Sequence, residues 1–201
     1  IKHLSVVAGG DVYGGSEESV SGVLVTYPST SITMNGGKVS NIFGGGNGSC
    51  DVAHTTIVVN GGEITGSVCG AGCTGMAKDN KVGHAHIVIN NCTGTPSVYG
   101  GSGEGYASTA EALVEINGGT FEKVTAGGSD GYTQVAKVIV NNGTINVLQG
   151  CNKGSISDVA LEVYGGEITS MPVWGEGGNT DPEDDPKVQN AKLNIMGGTI
   201  T

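Results

Sequence analysis

The chain has 201 residues, of which 38 are glycine and 4% aromatic, and its formal charge of −10 comes from 19 acidic residues against 9 basic ones, all lysine. An acidic chain without a guanidinium lacks the clustered Lys and Arg that supply the electrostatic term of nucleic-acid binding, so no nucleic-acid partner is expected. The glycines follow no Gly-X-Y period and no stretch of about 20 apolar residues occurs, which excludes a collagen helix and a membrane span in this segment.

One phrase recurs along the chain. A weak copy at 5–12 is followed by copies at 32–39, 56–64, 87–91, 114–121, 138–145, 161–168 and 193–200. Anchored on Ala8, Asn35, Asn60, Asn90, Asn117, Asn141, Tyr164 and Met196, the steps are 27, 25, 30, 27, 24, 23 and 32 residues. Self-similarity of this length is the mark of a solenoid whose repeats bury their apolar faces against one another.

Within each copy the residue types alternate. Met34, Val59, Ile89, Ile116, Val140, Val163 and Ile195 stand one place before the anchor, and Ile32, Ile57, Ile87, Val114, Val138, Leu161 and Leu193 three before it. Five places before are the small residues Thr30, Thr55, Ala85, Ala112, Ala136, Val159 and Ala191, with polar residues such as Glu115, Glu162 and Lys137 between. Period-two alternation predicts a strand. A Gly-Gly pair then predicts a corner with positive φ, the preceding Asn tolerating a left-handed backbone. Asn35, Asn60, Asn90, Asn117 and Asn141 should stack on one another.

A second short strand follows at Val39, Ile64, Phe121, Ile145, Ile168 and Ile200, and a third at Ile42, Val68, Val98, Val124, Val147 and Val173. The repeat re-enters through Val52, Val82, Thr109, Thr133, Ile156 and Val188. The expected fold is therefore all-β, a single-stranded parallel β-helix of about eight three-sided rungs in one domain over 1–201, read as a fragment of a longer solenoid. Length variation concentrates in loops at 44–51, 70–81, 100–108, 127–132, 149–155 and 175–187.

The corners Gly61-Gly62-Glu63-Ile64, Gly118-Gly119-Thr120-Phe121, Gly165-Gly166-Glu167-Ile168 and Gly197-Gly198-Thr199-Ile200 resemble the repeats of pectate-lyase-like right-handed β-helices, above all those of bacterial adhesin-like surface proteins. The resemblance implies right-handedness and an extracellular or bacterial cell-surface location. It carries no catalytic residue with it.

Loops that emerge at one edge of a solenoid align into a ridge, and such ridges commonly bind. Tyr99, Tyr106, Tyr132, Trp174, Asn47 and Asn152 are the candidates there for contact with a glycan or host surface protein. Two metal sites are conceivable from donor chemistry, with no cofactor otherwise expected. His54, His84, His86 and Glu111 share an outer strand face and suit Zn²⁺, while Asp181, Glu183, Asp184 and Asp185 suit Ca²⁺ through hard oxygens. Five cysteines cannot all pair within one chain, and their spacing ignores the repeat, so small buried thiols are expected ahead of the alternative, a bridge between Cys69 and Cys73 around Gly70-Ala71-Gly72.

The leading expectation is a non-catalytic adhesin-like module. A carbohydrate-active β-helix enzyme, a polysaccharide lyase or glycoside hydrolase, is the alternative, and a structural spacer without ligand the third. Against the enzyme stand the missing arginine and the scatter of Asp51, Glu111, Glu115, Asp158 and Glu162.

Overall fold

The computed structural model describes residues 9–15, 24–48, 50–72, 81–103, 107–172 and 187–201, and these residues form strands and connections with no helix. In chain order the strands are β1 (Val12–Tyr13), β2 (Val25–Met34), β3 (Lys38–Val39), β4 (Ile42–Phe43), β5 (Cys50–Val59) and β6 (Glu63–Ile64). They continue as β7 (Ser67–Cys69), β8 (Lys81–Ile89), β9 (Ser97–Tyr99), β10 (Ser108–Ile116), β11 (Thr120–Thr125) and β12 (Tyr132–Val140). The last are β13 (Thr144–Gln149), β14 (Ser155–Val163), β15 (Glu167–Ser170), β16 (Lys187–Ile195) and β17 (Thr199–Ile200).

The long strands make a seven-stranded sheet, β16-β14-β12-β10-β8-β5-β2, and the short ones an eight-stranded sheet, β1-β4-β7-β9-β11-β13-β15-β17, with β3 and β6 paired separately. Pairing between neighbouring strands is parallel, and each strand pairs with its counterpart in the next repeat. The anchor columns hold in register: Ile57 opposes Ile87, which opposes Val114, then Val138 and Leu161. All five are fully buried. Branched side chains stacked this way give up their apolar surface to the layers above and below, each contributing on the order of 1.5–3 kcal/mol.

Two expectations about the strands are corrected. The re-entry segment and the first strand are one continuous strand: Val52 and Thr55 are both buried while Ala53 and His54 between them face out, and the register is the same at Val52↔Val82 and at His54↔His84. In the third column Leu148, not Val147, opposes Val124, and Leu148 is fully buried.

The interior narrows where the small column meets glycine. A Cβ on Gly44 would stand 2.3 Å from the Gly70 carbonyl oxygen and 2.9 Å from Thr55 Cβ. Thr30 and Thr55 donate from Oγ1 to the carbonyls of Gly44 and Gly70, both at 2.6 Å, so these buried hydroxyls are satisfied across the gap.

At the corners from Gly36-Gly37 onward, the second glycine of the pair alone takes positive φ, +112° at Gly62 and +108° at Gly119, and no described non-glycine residue does so. The asparagines have another task. Asn60 donates its side-chain amide to Asn35 Oδ1 at 2.7 Å, Asn90 to Asn60 at 2.7 Å, Asn117 to Asn90 at 2.9 Å and Asn141 to Asn117 at 2.7 Å.

The described parts of the expected loops also stack. Gly45 N–H donates to the Ala71 carbonyl, Ala71 to Gly101, Gly101 to Gly127 and Gly127 to Gly150, at 2.9–3.2 Å. Beneath them lies a buried column of Phe43, Cys69, Thr125 and Gln149, interrupted by half-buried Tyr99. Cys50, Cys69, Cys92 and Cys151 are buried, and Cys73 lies outside the described residues.

Candidate functional site

The densest chemistry on the outside lies where β5, β8 and β10 run side by side. From His84 onward, residues of β8 alternate out, in, out, so His84 and His86 both face solvent around buried Ala85. Register sets His54 and Glu111 on either side of His84. The His54 and His84 rings are stacked, with centroids 4.8 Å apart and planes 9° from parallel. His84 Nδ1 lies 2.9 Å from Glu111 Oε2, and His86 Nε2 lies 2.7 Å from Glu115 Oε1.

The structure thus brings His54, His84 and Glu111 together, while His86 turns to Glu115. Among the described residues no three His, Cys, Asp or Glu side chains are gathered so as to hold a metal ion. Glu115 was not singled out as a site residue from the sequence. Its pairing with His86 runs diagonally, since its register partner on β8 is Val88. The alternation of outward positions on β8 and β10 was the only signal for it.

Further along the face, Lys137 Nζ sits 2.9 Å from Glu162 Oε2 and holds that carboxyl below its usual value. Lys137 and Lys192 are separated in register by Ala160. Asn190 donates to Asp158 Oδ1 at 2.9 Å. The outward carboxylates Glu111, Glu115, Asp158 and Glu162 therefore each meet a partner of another type. Comparison with protein-family models, curated proteins and solved structures returns no match.

The ridge candidates are dispersed. Asn47 is exposed. Asn152 is half-buried, donating to Ser129 Oγ at 3.2 Å and accepting from Lys123 Nζ at 3.4 Å, so it ties neighbouring repeats together. Tyr132 is exposed with its hydroxyl 2.8 Å from Ser157 Oγ. Tyr99 is half-buried; burial raises its phenol pKa, opposed by hydrogen bonds from Ser97 and Ser129. Tyr106, Trp174, Val173 and the acidic set Asp181, Glu183, Asp184 and Asp185 lie outside the described residues.

Proposed function

We propose that this chain is a segment of a right-handed parallel β-helix that acts as a non-catalytic, adhesin-like module on a bacterial surface or in the extracellular medium. The observation that carries the reading is the continuity of the stacking. Both large sheets and the connections at 45, 71, 101, 127 and 150 pass hydrogen bonds from repeat to repeat, which suits a stiff support for a surface presented at a distance. The partner in this reading is a glycan or a host surface protein, met by the exposed ridge candidates Asn47 and Tyr132. An aromatic ring with a hydroxyl at one end suits either, because it offers an apolar face and a polar tip.

Glycan-array and host-protein binding by the chain of 201 residues tests this. Binding to a defined partner that falls with Tyr132→Ala is expected. Release of reducing ends or unsaturated uronates from a polysaccharide, dependent on Glu111 or Asp158, would replace the reading with the enzyme.

A further inference from the structure

We propose that His84 and His86, joined by His54, form a binding site for a divalent transition-metal ion, Zn²⁺ being the test ion, on the outer face of the seven-stranded sheet. This is independent of the adhesin-like reading. The first support is the bite. His84 and His86 are alternate residues of one strand on one face, about 6.6 Å apart along the backbone, a span that two imidazoles close onto a single ion with bonds of about 2.0–2.1 Å.

The second support is how the rings are held. A carboxylate only accepts, so the nitrogen it touches carries the N–H and the other ring nitrogen carries the lone pair. With Glu111 on Nδ1 of His84 and Glu115 on Nε2 of His86, the lone pairs fall on His84 Nε2 and His86 Nδ1. A carboxylate fixing the tautomer and raising the basicity of a ligating imidazole is the supporting arrangement found around metal-bound histidines. Here it occurs twice on adjacent histidines. These pairs are also reachable, since side-chain accessibility is 53% at His84 and 40% at His86.

The third support is His54. Its ring lies flat on His84, with centroids 4.8 Å apart and planes 9° from parallel, which sets a third imidazole beside the pair. Among the described residues the three donors do not converge on one point. Turning the exposed His54 ring about its side-chain torsions supplies the third nitrogen, with water completing a tetrahedral shell. The charge of −10 on the chain favours approach of a cation.

Calorimetric titration of Zn²⁺ into the chain, with circular dichroism melts to establish that each variant folds, tests the site. One ion per chain is expected. His84→Ala and His86→Ala should each weaken binding at least about tenfold, and Glu115→Gln about tenfold with the stoichiometry kept. His3→Ala, which removes the remaining histidine of the chain, should leave the affinity unchanged. Absence of binding, or binding that survives His84→Ala with His86→Ala in one folded chain, overturns the proposal; the latter outcome would place the ion elsewhere on the chain.

Discussion

Thr55 reaches Gly70 through the interior, its Oγ1 donating to the Gly70 carbonyl at 2.6 Å. The contact leaves no room on the glycine side: a Cβ at Gly70 would stand 2.1 Å from the Gly100 carbonyl oxygen and 2.8 Å from Ala85 Cβ. Gly70→Ala should therefore destabilise the chain by about 3 kcal/mol, the upper range for overpacking. Thr55→Val, which keeps the shape and deletes the donor, should cost about 1 kcal/mol. Gly36→Ala is the control, because nothing lies within 4 Å of its Cβ position, and its effect should stay within about 0.5 kcal/mol. Denaturant unfolding of the three variants measures all of these.

The asparagine ladder predicts an effect of position. Asn90 both donates to Asn60 and accepts from Asn117, whereas Asn35 only accepts from Asn60. Asn90→Ala removes two links and Asn35→Ala one, so the first should cost roughly twice the second, at about 0.5–1 kcal/mol per exposed link. Equal losses in denaturant unfolding would show that the amides act singly.

Two thiols give the fold a sensitivity to alkali. Burial raises Cys92 and Cys151 from 9.0 to about 11. In the unfolded chain these groups lose their protons near pH 9, while the folded chain keeps them until about pH 11, so above pH 9 the unfolded state binds fewer protons and stability falls as pH rises. Melting temperature should decline between pH 9 and 11. Replacing Cys92 and Cys151 with alanine should shallow that decline, whatever the change in absolute stability.

The columns of Ile57 and Val59 were legible because a strand buried on one side writes period two into the sequence, and a shared corner fixes the phase. Where two neighbours share a face, that code breaks. Val147 and Leu148 are adjacent, both apolar and both buried, so alternation could not choose between them. The double outward step at Ala53 and His54 likewise read as two strands rather than one continuous strand. The facing of His54, His84 and Glu111 followed from aligned columns, but the His86 to Glu115 pairing depends on rotamers reaching across a layer. The role assigned to asparagine was half legible: its stacking follows from register, while the left-handed backbone belongs to the glycine two places on.

The repeats differ in length by up to nine residues, from 23 to 32, yet Ile87, Val114, Val138, Leu161 and Leu193 keep step. Counting along the chain and counting through the layers are thus separate matters. Each turn takes its height from the backbone it touches, so evolution is free to lengthen a connection without moving what lies above it.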